Sequence, residues 1–277
     1  MPARINHNPQ LKQVHRNLNL HFDRAAQQVE QLASGRRVNR ASDDPASLAL
    51  ADGIRSEIRA IAEGGRNIQQ SIHMLQVADG AMSNINDMIL RMQNLAVEAA
   101  SSNYTDADRM NINAEFQALK GEIDRIAEST TFNGISLLDE EDIFAIQAGP
   151  SATSNDVSRI AIGDMRASGP TLNLAGSSVN TLADAQEVLG KLRNAHDKLI
   201  AERNHIAAFQ NRLELSLDTS ATIVEKMSGP ESDVRDVDMA RSISNLSRSQ
   251  ILSQTAASLA LEVDVDVNRI FALLQQQ

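Results

Sequence analysis

Residues 48–95 read LALADGIRSEIRAIAEGGRNIQQSIHMLQVADGAMSNINDMILRMQNL, and apolar side chains recur in this stretch every three or four positions. Only two positions of the pattern fail, at Gly65 and Asp79. The spacing predicts one apolar stripe along a single helix and suits coiled-coil pairing. About fifty residues at about 1.5 Å each give a helix of roughly 75 Å, too long for a compact core. We therefore expect it to pack against other long helices, in this chain or in neighbouring copies.

The composition favours helix packing and excludes several functions. Aromatic residues make up 3% of the chain, with one Tyr and no Trp, so aliphatic side chains must fill the core. The net charge of −10 argues against a general nucleic-acid-binding protein, which needs a basic surface. The absence of cysteine excludes disulfides, thiol catalysis and thiolate metal sites.

The sequence also bears on localisation. No apolar run approaches the roughly 20 residues of a membrane span, and residues 1–10 lack the apolar stretch of a secretory signal. Either the protein stays inside the cell, or it leaves by a route that needs no such signal.

Local signals predict where the first two helices begin and end. The three-four spacing in residues 11–32 predicts a first helix, whose apolar positions include Phe22 and Val29. Gly35 is expected to stop it in a left-handed conformation. Asp44 as N-cap and Pro45 then begin the long helix, which we expect to run to about residue 101.

Two further signals lie within and after the long helix. Gly64 and Gly65 weaken its middle and indicate either a kink or a place where another backbone comes close. Thr105, followed by acidic residues, resembles a capping start. We expect a shorter helix there, antiparallel to its predecessor because the connection is short.

The pattern changes after residue 130. Asn133-Gly134 predicts a tight turn, and residues 143–147 and 157–162 predict the two strands of a hairpin. Residues 163–180 are rich in Gly, Ser and Asn, which predicts a surface loop.

Two helices complete the chain. Thr181 begins a long one with polar residues at three core positions, His196, Arg203 and Gln210, and Gly229-Pro230 is expected to end it. A final helix is predicted to run to the C-terminus, through residues 261–267, although those alternate with the period of a strand. The fold class is thus mainly α: a long antiparallel helical bundle with paired terminal helices and a small β-hairpin region.

Several segments resemble the bacterial flagellin family. Residues 32–46, LASGRRVNRASDDPA, are similar to its most specific stretch. Shorter matches, in family order, are residues 5–8 (INHN), 93–100 (QNLAVEAA), 132–134 (FNG), 210–214 (QNRLE), 251–254 (ILSQ) and the closing Leu273-Leu274. Together they cover about residues 1–148 and 180–277.

The resemblance implies a filament-forming subunit with no catalysis. Residues 1–44 and 231–277 would form a terminal coiled coil lining the filament. Residues 45–148 and 181–230 would form the helical bundle with its hairpin, and residues 149–180 a reduced variable insert. The resemblance further implies export through the flagellar secretion apparatus to an extracellular filament, with a sheathed or periplasmic filament left open. Its partners would be copies of itself and the flagellar export chaperone, cap and junction proteins.

Two sets of residues are the expected assembly contacts. The polar loop after the first helix, with Arg36, Arg37, Arg40, Asp43 and Asp44, would meet acidic or basic groups of adjacent copies and fix register. The alternative is a simple linker. The terminal assembly seam would consist of apolar residues of both terminal helices: Leu11, Val14, Leu18, Val29, Leu32, Leu252, Leu259, Val263, Ile270 and Leu274.

The resemblance also suggests a patch for a Toll-like innate-immune receptor. Arg91, Leu95 and Glu115 match the family positions that such a receptor contacts. The alternative is that Leu95 serves the bundle core while Arg91 and Glu115 are solvated or face other subunits in the filament.

No constellation in the sequence predicts a cofactor, a metal site or an enzyme. The six histidines, His7, His15, His21, His73, His196 and His205, lack zinc-helix spacing, and the acidic residues form no calcium-binding loop pattern. Three alternatives to a flagellin remain open: a hook–filament junction protein with similar termini, an enzyme using residues 130–180, and a coiled-coil scaffold unrelated to flagella.

Overall fold

The computed structural model describes residues 9–274, and the side chains of residue 9 and of residues 11–262. Its helices are α1 (Pro9–Ser34), α2 (Pro45–Ala99), α3 (Asp106–Ser129), α4 (Leu182–Arg235) and α5 (Met239–Leu274). Its strands are β1 (Thr131–Phe132), β2 (Ile135–Ser136), β3 (Asp142–Gln147) and β4 (Val157–Ile162). The mainly helical fold class is confirmed, and α5 runs helically through residues 261–267 as predicted.

The chain contacts divide the protein into two compact units. The terminal unit comprises residues 1–56 and 227–277, and the central unit comprises residues 57–226. Both boundaries fall inside helices, within α2 and within α4.

The predicted α2 stripe forms the core of the central unit. Two pairs of contacts show how the other helices run along it. Asp79 and Gly65 of α2 contact Arg203 and Leu217 of α4, in reverse order along the chain. In the same way Arg91 and Ala99 contact Glu115 and Arg109 of α3, so α2 is antiparallel to both neighbours. The largest fully buried side chains of these helices are Ile68, Leu75, Met82, Ile85, Ile89, Met92, Phe116 and Ile123.

The predictions that depend on a few adjacent residues are confirmed: the end of α1, the cap of α3, the turn at Asn133-Gly134 and the hairpin. Gly35 has a φ of 69°, and Asn133 and Gly134 have φ of 53° and 79° between the paired strands β1 and β2. The Thr105 hydroxyl accepts the Asp108 amide hydrogen, and the Asp108 carboxylate accepts the Thr105 amide hydrogen, which is a complete capping box. β3 and β4 pair antiparallel, Asp142 opposite Ile162 and Gln147 opposite Val157, as the hairpin prediction required.

The predicted helix end at Gly229-Pro230 is wrong, because α4 continues through Pro230 to Arg235. Proline removes one backbone hydrogen bond from a helix and normally bends or ends it. Here the residues that follow are held from outside the helix: Glu231 pairs with Arg55, and the Arg235 guanidinium donates to Asp52 at 3.4 Å. These contacts offset the loss at Pro230.

Residues 163–180 form the predicted loop, but its expected place on the surface is wrong. Apolar side chains buried in the core are spaced along it: Met165, Ala167, Leu172, Leu174 and Val179. Its backbone polar groups find partners, since the Val179 amide donates to the Asn113 side chain at 3.0 Å and the Ser177 carbonyl accepts from Gln117 at 2.9 Å. A Gly- and Ser-rich composition therefore misled the prediction, because the intervening apolar residues decide where the segment lies.

Asp79 of α2 and Arg203 of α4, two polar residues at expected core positions, form an ion pair with each other. The Arg203 Nε donates to an Asp79 carboxylate oxygen at 2.8 Å, and both side chains are partly shielded from solvent. This hydrogen bond raises the pKa of Arg203 above its ordinary value. The pair places one specific polar contact between α2 and α4 and so specifies how the two helices align.

We predict that Asp79→Asn lowers the free energy of unfolding by about 1 kcal/mol, because a half-shielded ion pair contributes modestly. Urea unfolding of Asp79→Asn, Arg203→Gln and the double variant would measure the coupling between the two residues. The Glu122–Arg125 pair provides the control because it lies within α3 alone and aligns no two helices, so Glu122→Gln should change little. Equal effects of Asp79→Asn and Glu122→Gln would contradict a specific role for the seam pair.

Candidate assembly interface

The terminal unit is built on the packing of α1 against α5. Seven half-buried positions of α1 follow a strict heptad, alternating steps of three and four, and Gln31 is half-buried beside the last of them. The seven are Leu11, Val14, Leu18, His21, Ala25, Gln28 and Leu32. Two of the inward positions are thus polar, His21 and Gln28, and the Gln28 Oε1 is buried without a partner among the described residues.

The buried positions of α5 carry small side chains, and Leu246 is half-buried on the same face. Its buried residues share one face at heptad spacing: Ser242, Ser249, Ser253 and Ala256. The Ser253 hydroxyl donates to the Gln250 carbonyl of its own helix at 2.8 Å, which satisfies it without a partner on α1. Large side chains of α1 therefore lie over a small, partly polar surface, and this contact buries less apolar area than a Leu-on-Leu seam would.

Other large apolar residues of both helices lie outside this contact. Val29 is 51% exposed, Leu252 40% and Leu259 48%. Other exposed apolar side chains of the pair are Leu20, Phe22, Ile243, Ile251 and Leu261. Contiguous exposed apolar patches are typical of interaction surfaces, and these residues are the candidates for one in the terminal unit.

The predicted terminal seam thus divides into two sets. Leu11, Val14, Leu18 and Leu32 lie in the α1–α5 contact, whereas Phe22 and Val29 of α1, with Leu252 and Leu259 of α5, lie outside it. Spacings of three and four residues allow two overlapping stripes on α1. A strict heptad counted from Leu11 contains His21 and Gln28, where the prediction had Phe22 and Val29. Val263, Ile270 and Leu274 lie outside the described side chains. The role of the outward set in assembly stays a prediction.

The loop at residues 35–44 is tied to the connection between α4 and α5. The Val237 amide donates to the Gly35 carbonyl at 3.0 Å, and the Arg37 amide donates to the Arg235 carbonyl at 2.7 Å. Val38 is buried beneath these bonds. The alternative of a simple linker is therefore wrong, because the segment is hydrogen-bonded and packed.

Most charged groups of this loop are engaged within the chain. The Arg37 guanidinium donates to the Val234 carbonyl at 2.7 Å, and the Arg40 guanidinium pairs with Glu30 at 3.0 Å. The Asp43 carboxylate accepts the amide hydrogen of Arg40 at 3.0 Å. Arg36 is exposed and pairs through its backbone with Asp236. Pairing of these residues with adjacent copies stays a prediction.

Asp44 ends the loop and caps α2. Its carboxylate accepts the Ser47 amide hydrogen at 3.1 Å and the Ser47 hydroxyl hydrogen at 2.5 Å. These bonds, the hydroxyl first, lower the pKa of the Asp44 carboxyl below its ordinary value. The sequence-predicted N-cap is confirmed.

The suggested receptor patch has one buried and two exposed members. The Arg91 Nε donates to the Glu115 carboxylate at 2.8 Å, and both side chains are about half exposed. Leu95 is only 2% exposed and packs in the core, as the alternative reading had it. The accessible part of the patch is therefore the ion pair that joins α2 to α3.

The described part of the chain holds no group of three or more His, Asp or Glu side chains that could bind a metal ion. None of the described helices is both long and apolar enough to cross a membrane.

Known protein families match both halves of the chain. The bacterial flagellin N-terminal helical region matches residues 5–142, and the bacterial flagellin C-terminal helical region matches residues 189–273. A flagellin of Halalkalibacterium halodurans is 31% identical over 271 residues, covering 98% of this chain and 99% of that protein. A flagellar filament core protein of Brachyspira hyodysenteriae is 34% identical over 258 residues, covering 89% of this chain and 88% of that protein.

A solved structure adds a likeness of fold. A protein of Vibrio parahaemolyticus, assigned as a flagellar hook-associated protein, is similar with a TM-score of 0.58 over 70% of this chain and 100% of its own. Its identity of 15% limits the likeness to the fold. The more similar, nearly full-length relatives are flagellins and filament proteins.

We predict that the Asp44 cap gives α2 an acid-sensitive start. Because the pKa of Asp44 is lower in the folded chain, its contribution to stability is present above the ordinary pKa, about 4, and is lost as pH falls through the folded pKa. Asp44→Asn keeps a good N-cap without the titration. Helicity followed by circular dichroism from pH 7 to pH 2 should therefore fall less steeply in this variant. Glu140→Gln, an exposed position, should leave the acid transition unchanged; identical transitions in all three proteins would contradict the role of Asp44.

Proposed function

Because this chain belongs to the bacterial flagellin family, we propose that it is a structural subunit that polymerises with copies of itself into a flagellar filament. Relatives that align with most of the chain are named flagellin or flagellar filament core protein, which supports this role. The family is a structural one, and the function we propose involves no catalytic step.

The outward apolar surface of the terminal pair carries this proposal. Aliphatic and aromatic side chains of both helices are exposed to solvent, namely Leu20, Phe22 and Val29 on α1 and Ile251, Leu252 and Leu259 on α5. Burying one such side chain contributes about 1.5–3 kcal/mol. In a homopolymer, such a surface of one copy can pack against a different surface of the next copy, and head-to-tail contacts that repeat without closing produce a filament.

Assembly on this surface would stabilise the terminal helices themselves. Among the described side chains of α5, their contact within one chain fully buries only Ser and Ala, and the apolar residues of α1 that take part in it stay half-buried, so it offers limited apolar area to offset the entropy of ordering two helices. Burial of the outward residues against other copies would supply the missing area. Folding of the terminal pair is thereby coupled to incorporation into the filament.

The junction-protein alternative shares this architecture, as the likeness to a hook-associated protein illustrates. It differs in one property, because a junction protein occurs in few copies and does not extend into long polymers. The filament role is favoured because the more similar relatives are filament proteins. Membership of the family also supports export through the flagellar apparatus to an extracellular filament, and contacts with its export chaperone, cap and junction proteins.

A receptor contact is a further part of the proposal. The exposed Arg91–Glu115 pair is the surface that a Toll-like receptor would meet on α2 and α3, with Leu95 supporting the helix from inside rather than touching the receptor. A charged pair at the rim of an interface chiefly sets specificity and association rate.

We predict that the purified full chain, added to filament seeds, forms long tubes visible by electron microscopy. A chain lacking residues 1–40 and 240–277 should form none, because it lacks most of the terminal pair. Full-length protein that stays monomeric even with seeds would support a junction protein or an unrelated scaffold instead.

A sharper form of this experiment changes the outward surface alone. The double variant Ile251→Ser/Leu259→Ser should lose polymerisation, since it removes apolar area that only neighbouring copies can cover. Ile251→Leu/Leu259→Met keeps the apolar volume and should polymerise normally. Tubes of equal yield from both variants would show that this surface is not the assembly contact.

We predict that Arg91→Ala lowers activation of a Toll-like receptor by monomeric protein, because it removes one charge of the exposed pair. The readout is the dose-response of receptor-expressing reporter cells. Arg125→Ala removes a similarly exposed arginine of α3 from its pair with Glu122 and serves as the matched control. Superimposable dose-responses for wild type and Arg91→Ala would sink the receptor proposal.

A further inference from the structure

Two adjacent glycines of α2 face different surroundings. A Cβ added to Gly64 would overlap the carbonyl oxygen of Ala148 and lie 2.6 Å from its carbonyl carbon. A Cβ added to Gly65 would meet only the Leu217 Cδ1 at 3.5 Å, an ordinary contact. Of the two possibilities left open by the sequence, a close approach of another backbone is therefore the one found at Gly64.

The backbone that approaches Gly64 belongs to residues 148–156, which we call the hairpin loop because they join β3 to β4. This loop is bound to itself: the Ala148 amide donates to the Asp156 carbonyl at 2.8 Å, and the Ser151 amide donates to the Asp156 carboxylate at 2.8 Å. The Gln147 side chain donates to the carbonyls of Gly149 and Ser151 at 2.6 and 2.7 Å. Such a network moves as one body.

The hairpin loop rests on α2 over a small area. Besides the contact at Gly64, the Asn67 side chain donates to the Gln147 carbonyl at 3.2 Å. Between the loop and the helix lies an open cavity of about 330 Å³, bordered by Ala60 on α2 and by Pro150 and Ala152 on the loop. The contact of the loop with α2 thus includes a backbone approach at one glycine and a hydrogen bond to the preceding residue, Gln147, with free space beside them.

We propose that Gly64 fixes the position of the hairpin loop on α2, a contact that we call the latch. Because residue 64 has no side chain, the backbone of the loop can pack directly against the helix. Any Cβ there must lift the loop, because the obstacle is a backbone carbonyl that cannot rotate away as a side chain can. Residues 150–155 of the loop are exposed, so the position of the loop on α2 also determines the surface that the central unit presents to other molecules. Its effect on packing between copies rests on the filament role proposed above.

The latch can be tested on the monomer by comparing Gly64→Ala with Gly65→Ala. Both replacements raise the helix propensity of α2 equally, so only the contact with Ala148 distinguishes them. The chain has no cysteine, and spin labels on Arg59→Cys and Ser154→Cys would report the distance between α2 and the loop. We expect Gly64→Ala to lengthen the mean distance by about 1 Å, the difference between 2.6 Å and an ordinary contact of 3.4–4 Å, and to broaden it. Gly65→Ala should reproduce the wild-type distribution.

A second variant guards against a folding defect in Gly64→Ala. Asn67→Ala removes the hydrogen bond from α2 to the Gln147 carbonyl and should broaden the same distance with unchanged helicity. Identical distributions in wild type, Gly64→Ala and Asn67→Ala would overturn the latch.

The filament gives the second readout. Filaments of Gly64→Ala should differ in helical pitch from wild-type and Gly65→Ala filaments, because a shifted loop changes the contacting surface. Equal pitch despite a shifted loop would overturn its effect on packing. Failure of the wild type to polymerise would count against the filament role alone, since the distance measurement decides the latch without it.

Discussion

The apolar stripe of α2 is the surface on which the rest of the central unit packs. Its side chains from Ile68 to Leu95 are buried in unbroken succession at helical spacing. No single helix can cover a stripe of that length on both flanks, so α3, α4 and the hairpin each take a part of it. The scarcity of aromatic residues fits this arrangement, because aliphatic side chains of similar size interdigitate along extended helix contacts.

The terminal pair shows the opposite balance of surfaces. In the central unit the large apolar residues face inward, whereas in α1 and α5 some of them meet small and polar residues and others, such as Val29 and Leu259, stay in solvent. The same three-four pattern in sequence therefore has two outcomes. In the central unit it builds a core, and at the termini it leaves the exposed apolar side chains on which the proposed assembly depends.

The sequence predicted best where the determining energy comes from adjacent residues. Caps at Asp44 and Thr105, the left-handed Gly35 and the Asn133-Gly134 turn each depend on a few neighbouring atoms, and all were found. The errors have a different origin. The continuation of α4 past Pro230 depends on contacts with residues far away in sequence. The burial of residues 163–180 likewise depends on α3, which no local composition reveals.

The same limit applies to the candidate site. The apolar spacing correctly predicted that α1 and α5 are amphipathic. Apolar residues on each helix, however, form more than one possible stripe, and only the packing of one helix against the other decides which stripe faces inward. The heptad of α1 that packs inward contains the polar residues His21 and Gln28, so the sequence alone argues against it. The structure therefore assigns the predicted seam residues to two surfaces, one within the chain and one outside it.

The residues that interrupt the apolar repeat specify how the helices align, which the repeat alone does not. An unbroken three-four pattern allows two helices to slip by a heptad at little cost, so it does not specify alignment. Asp79 and Gly65, the two failures in α2, meet Arg203 and Leu217 of α4. The two contacts are separated by fourteen residues on each helix, which is two heptads, so both require the same antiparallel register. Irregular residues in a repetitive helical sequence thus mark where tertiary structure fixes its alignment.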